Sequence, residues 1–128
     1  MGSELGEVYR DAVVQIGQRM LRVGARAPSG LAVITAWNPG SQRRETRLNQ
    51  AASACLRARL MRRGARVTSA TNAPGSAWAE PSFAVAGLPL HEIVALAHAF
   101  GQRAIYATVG GRWTVVTVYS TGSATGAD

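Results

Sequence analysis

The stretch Leu31-Ala32-Val33-Ile34-Thr35-Ala36, followed at once by Trp37-Asn38-Pro39-Gly40-Ser41, decides how this chain is read. The apolar run is too short for a buried helix and has the length of a strand. Being almost unbroken, it describes a strand covered on both faces. Asn38-Pro39-Gly40 ends it with turn residues. Ser41 then reads as the N-cap of a helix running to Arg63, with Leu48, Ala52, Cys55 and Leu56 along one face and Gly64 as its stop. A central strand feeding a long helix is the unit from which the rest is built.

Toward the C-terminus, Ala65 to Thr71 reads as a strand, Asn72-Ala73-Pro74-Gly75-Ser76 as a turn, and Glu80 to Ala86 as another strand. Pro89 and Glu92 suit the first turn of a second helix, whose core positions are Leu90, Ile93, Val94, Ala97 and Phe100 and whose stop is Gly101. Gly110-Gly111 is a two-residue hairpin signal between Ala104–Val109 and Arg112–Tyr119. Toward the N-terminus, Ala27 to Gly30 is a loop. Leu5, Tyr9, Val13, Ile16 and Met20 stand at helical spacing, yet Val13 to Ile16 and Met20 to Val23 also suit two strands turning at Gly17-Gln18. The favoured reading is a short helix to about Arg10 and then the hairpin. A single domain over residues 1–119 is expected, with Ser120 to Asp128 as a disordered tail.

From Leu31 onward the order is β-α-β-β-α-β with one added strand. That order predicts an α+β, two-layer, ferredoxin-like split β-α-β fold with an added C-terminal strand and an N-terminal hairpin. Right-handed crossovers put the strand at Glu80 beside the one at Leu31, and the strand at Ala104 on its other side. The end of the first strand then meets the beginnings of the other two. Asn38, Glu80 and Gln102 are expected at that one edge.

Composition narrows what such an edge can serve. The chain has 128 residues, 47% hydrophobic and 16% charged, which excludes disorder as the global state. A single cysteine, Cys55, gives no internal disulfide and no zinc module, and it is expected to be an inert thiol on the apolar face of its helix. His91 and His98 are seven residues apart on one helix, about 10 Å along its axis, and cannot share a metal by themselves. No metal and no cofactor is expected. Glu4, Glu7 and Asp11 stand where a secretory signal would be basic and then apolar, and no apolar run reaches the ~20 residues of a membrane span. A bacterial cytoplasmic protein without membrane contact is the expectation. Every one of the 14 basic residues is Arg, against 7 acidic residues, for a net charge of +7. The exclusive use of Arg reflects a GC-rich genome more than selection for its geometry, but the net charge favours acidic partners.

The blocks Thr35-Ala36-Trp37-Asn38-Pro39-Gly40-Ser41, Asn49, Trp78-Ala79-Glu80-Pro81-Ser82-Phe83 and Phe100-Gly101-Gln102 resemble those of a bacterial family catalogued as domain of unknown function 3293. The resemblance covers roughly residues 30–118, and the ordered combination of blocks carries it. It implies no activity. It draws attention to Asn38, Ser41, Asn49, Glu80 and Gln102.

These residues define a candidate pocket for a small anionic or amide-bearing metabolite or nucleotide. Free amides after Ser41 suit an anion, and Trp37 and Trp78 form walls. Glu80, desolvated beside them, is the candidate catalytic base or the holder of a substrate amine; its plain alternative is a salt bridge to Arg44 or Arg103. Gln102 and Asn49 suit hydrogen-bonding specificity, with Asn49 expected on the cavity's inner wall. Two readings compete. Arg43, Arg47 and Arg57 share an outward helix face that could track nucleic-acid phosphates, although helix faces rich in charge are usually just solvated. A homodimer formed through a sheet edge is the other.

Overall fold

The computed structural model describes residues 12–118. The short helix to Arg10, the end of the last strand at Tyr119 and the tail from Ser120 lie outside the described residues. Seven strands are present: β1 (Val13–Ile16), β2 (Arg19–Arg22), β3 (Leu31–Ile34), β4 (Arg66–Asn72), β5 (Glu80–Ala86), β6 (Ala104–Val109) and β7 (Arg112–Thr117). Helix α1 (Thr46–Arg62) lies between β3 and β4, and α2 (Leu90–Ala99) between β5 and β6. The strands form one sheet in the order β2-β1-β4-β5-β3-β6-β7, and every pairing is antiparallel.

The two-layer ferredoxin-like plan is not what forms. The expected neighbours are present, with β5 and β6 on either side of β3. The N-terminal hairpin, however, adds to β4 and carries the sheet onward. The chain after β2 then reaches the opposite edge: Gly24 N–H donates to Trp113 O at 2.8 Å, Trp113 N–H to Ala25 O at 2.8 Å, and Ala27 N–H to Gly111 O at 3.0 Å. An isolated bridge pairs Arg26 with Arg112. The sheet thus curls into a nearly closed barrel, and the β7 edge is covered by the segment that follows β2. A two-layer fold would leave one sheet face in solvent; here that face encloses a second core.

The two cores explain why LAVITA is apolar on both faces. Ala32 and Ile34 face outward into a cluster with Leu56 and Leu60 of α1, Val85, and Ile93, Leu96 and Ala97 of α2. Val33 faces inward with Val14, Leu21, Ala70, Ala84, Tyr106 and Trp113. The rings of Tyr106 and Trp113 stack inside the barrel, with centroids 6.1 Å apart.

Two boundaries shift for identifiable reasons. Strand β3 ends at Ile34, two residues early, where its partner strand carries Pro81. A proline has no N–H to extend the ladder. A side chain takes over: Thr35 Oγ1 donates to Pro81 O at 2.8 Å and accepts from Trp37 N at 3.0 Å. Helix α1 starts at Thr46, not after Ser41, which belongs to a single 3-10 turn at Pro39–Ser41. Cys55 is exposed on α1, not buried in the apolar face, because the buried stripe runs through Asn49, Leu56 and Leu60. Among the described residues, no helix is long and apolar enough to cross a membrane.

Candidate functional site

At one end of the barrel, β3 and β4 finish while β1, β5 and β6 begin. A cavity of about 590 Å³ opens there. Val33 and Tyr106, whose side chains face the barrel interior, contribute to its lining; Trp37, Asn38, Ser41, Trp78, Glu80 and Gln102 line it as well. The size is within the range of small-molecule sites, which often occupy barrel mouths.

Asn38 organises one wall. It is left-handed, at φ 47° and ψ 63°, a conformation that Asn tolerates better than most residues. Its N–H donates to Asn49 Oδ1 at 2.9 Å, and its Oδ1 accepts from Asn49 Nδ2 at 2.9 Å and from Arg44 N at 3.2 Å. Its Nδ2 is left to donate to Glu80 Oε2 at 3.1 Å. Gln102 braces the neighbouring residue, donating from Nε2 to Trp37 O at 3.1 Å. Gly101 accepts from Gly40 N at 2.8 Å and lies directly against Pro39. Within residues 12–118 the non-glycine residues with positive φ are Asn38, Ser41 and Ala73, and all three line this cavity. Conformations of this kind concentrate at functional sites.

Glu80 is half-buried, and the expected ion-pair alternatives do not form: neither Arg44 nor Arg103 pairs with it. Arg44 is used elsewhere, donating from Nε to Asn49 Oδ1 at 2.7 Å and from Nη2 to Ala36 O at 3.3 Å. Burial lifts the Glu80 carboxyl above its ordinary value, against hydrogen bonds from Asn38 and Asn72 that pull it down. Asn72 is the cross-strand partner of Glu80. Its Oδ1 is buried and has no hydrogen-bond partner.

Two expectations about the site are corrected. Asn49 does not line the cavity. At 1% exposure it lies beneath the Asn38 turn, in the first turn of α1, and acts by holding Asn38 and Arg44. The amides of Ser41, Gln42 and Arg43 do not open a helix toward an anion: the helix begins only at Thr46, and Ser41 N donates to Asn38 O and Gln42 N to Pro39 O. The proposed arginine stripe also breaks up. Arg43 precedes α1, lies 4.1 Å over the Trp78 ring and donates to Ala77 O at 2.9 Å. Arg47 reaches Glu45 at 3.4 Å, and Arg57 is exposed farther along α1.

Sequence reasoning passed over Asn72, Thr35 and Tyr106, and treated Arg103 only as a partner for Glu80. The signal for Asn72 was available: it opens the turn between two strands that pair antiparallel, which sets it opposite Glu80. His91 and His98 are both exposed and lie along a separate groove on α2. Among the described residues, no group of three or more His, Cys, Asp or Glu could hold a metal ion.

The family model described as Protein of unknown function (DUF3293) matches residues 34–105, more than half of the chain, and the chain belongs to that family. The matched segment runs from the end of β3 to the start of β6 and contains most of the cavity wall. No curated protein and no solved structure matches the chain.

Proposed function

We propose that this protein binds a small polar molecule, an anionic or amide-bearing metabolite or nucleotide, in the cavity at the mouth of the barrel. One observation carries the reading: a half-buried carboxyl, Glu80, lines a cavity of ligand size with no cation paired to it. A carboxyl kept there for stability would be expected to have an Arg partner, and this chain is rich in Arg. Instead Glu80 is oriented by Asn38, which is itself held by buried Asn49. Such a chain of supports fixes a recognition group in place. Glu80 accepts hydrogen bonds from the ligand and is the group best situated to take a proton, should the ligand be turned over. Trp37 and Trp78 supply apolar contact, and Gln102 and Ser41 polar contact.

A thermal-shift screen of polar metabolites against wild type and Glu80→Gln tests the reading. Ligands are expected to raise the melting temperature of the wild type in proportion to concentration and affinity, and to lose that effect in the variant. Stabilisation that is indifferent to Glu80, or none from any compound, would overturn it.

A further inference from the structure

The cavity is bipolar. At one side stand two acceptors, the Glu80 carboxylate and Asn72, whose buried Oδ1 has no partner. A buried acceptor left unpaired is costly, and a ligand N–H would satisfy it. At the other side is Arg103, an exposed lining residue with no ion pair and no side-chain hydrogen bond among the described residues. Glu80 opens β5 and Arg103 immediately precedes β6, and these strands flank β3. Two strand spacings separate them, about 10 Å at the backbone. Aromatic side chains line the same cavity. Trp78 is 52% exposed, with one ring face held by the Arg43 guanidinium, which stiffens it as a stacking platform. Trp37 and Tyr106 complete the apolar lining.

A ligand matching all of this has adjacent N–H donors at one end, a flat ring in the middle and an anion at the other end. A free amino acid, aromatic or not, carries its ammonium and carboxylate on one carbon, too close together to span this distance. Resting on the cavity reading above, we infer that the site takes a mononucleotide of guanine type, its N–H edge at Glu80 and Asn72, its base against Trp78 and its phosphate at Arg103. The net charge of +7 assists by drawing anions toward the protein.

Calorimetry with guanosine monophosphate, guanosine, adenosine monophosphate, inorganic phosphate and a short guanosine-containing oligonucleotide tests this on wild type, Arg103→Gln and Glu80→Gln. Guanosine monophosphate is expected to bind best, with guanosine and adenosine monophosphate weaker by roughly ten- to hundredfold, the range for losing a charge-assisted or paired hydrogen bond. Arg103→Gln should reduce guanosine monophosphate to the level of guanosine and leave guanosine unchanged. Glu80→Gln should abolish the preference over adenosine monophosphate. Equal binding of phosphate alone, of adenosine monophosphate, or of guanosine monophosphate by Arg103→Gln overturns the inference, as does tighter binding of the oligonucleotide. If none of these probes binds but other metabolites stabilise the protein through Glu80, the nucleotide inference falls and the cavity reading stands. If neither occurs, both fall.

Discussion

Asn38 Nδ2 lies 3.1 Å from Glu80 Oε2, across 42 residues of chain, and this contact joins the turn after β3 to the first residue of β5. It is a neutral donor on an acid, so it orients the carboxyl without neutralising it. An arginine in the same place would have held Glu80 ionised and occupied. The amide leaves the carboxyl able to accept from a ligand and leaves its proton affinity governed by burial.

That arrangement has a consequence for stability. Because the folded-state value of Glu80 is raised, the folded protein binds its proton more tightly than the unfolded chain does, so stability attributable to this group falls as pH rises from the unfolded value through the folded one. Above that window Glu80 opposes folding. Glu80→Gln should therefore melt higher than wild type at neutral pH. The gap should close as pH is lowered below the ordinary carboxyl value of 4.5. A variant that melts lower than wild type at pH 7 would show that Glu80 stabilises the fold.

Asn49 is the buried support of the same wall. Its Oδ1 accepts from both Asn38 N and Arg44 Nε. Truncation to Ala leaves a buried amide and a guanidinium without their acceptor, at a cost of about 2–4 kcal/mol. Chemical denaturation should show that loss for Asn49→Ala. The neighbouring exposed change Gln50→Ala should remain within about 0.5 kcal/mol of wild type.

Much of the fold was legible because its signals are local. The Gly17-Gln18 and Gly110-Gly111 turns bracket hairpins that form where expected, and Glu80–Ala86 and Ala104–Val109 match to the residue. Barrel closure was not legible. It depends on Gly24–Ala27 pairing with Arg112 and Trp113, through backbone groups of a segment with no strand pattern. The start of α1 was missed for a related reason. Ser41 resembles a cap, but it closes a 3-10 turn in which Gln42 N donates to Pro39 O, while Arg44 N goes to the Asn38 side chain, and no local signal announces that Asn38 is left-handed. The gathering of Asn38, Glu80 and Gln102 followed from strand order alone, which survives the change from open sheet to barrel. The supporting roles of Arg44, Asn49 and Asn72 depend on side-chain directions that strand order does not specify.

The arginines yield a separate expectation. Arg43 is committed to Trp78 and Ala77, and Arg47 to Glu45, so they do not present a continuous phosphate track. Fluorescence anisotropy with labelled oligonucleotides should show only weak association at physiological salt, and Arg43→Ala combined with Arg47→Ala should leave its salt slope nearly unchanged. A steep slope that drops by about two with the double variant would instead mean that both residues contact phosphates.

Gly101 tests whether the turn after β3 is held from the opposite side as well. It has φ 73°, and a Cβ placed on it would come within 2.8 Å of Pro39 Cβ, while its carbonyl accepts from Gly40. Any side chain here must both adopt a strained backbone and push Pro39 away, and Pro39 adjoins Asn38. Gly110 provides the control, since it has φ 61° with nothing within 4 Å of the added carbon. Gly110→Ala should cost only the left-handed backbone term, about 1 kcal/mol. Gly101→Ala should cost more, about 2–4 kcal/mol, because the steric term is added. It should also disturb Asn38 and hence Glu80, so the neutral-pH stabilisation expected from Glu80→Gln should shrink in the Gly101→Ala background. The coupling is read from a double-mutant cycle of melting or denaturation free energies. Equal losses for the two glycine variants, with additivity toward Glu80→Gln, would separate Gly101 from the cavity wall and leave Asn49 as its main support.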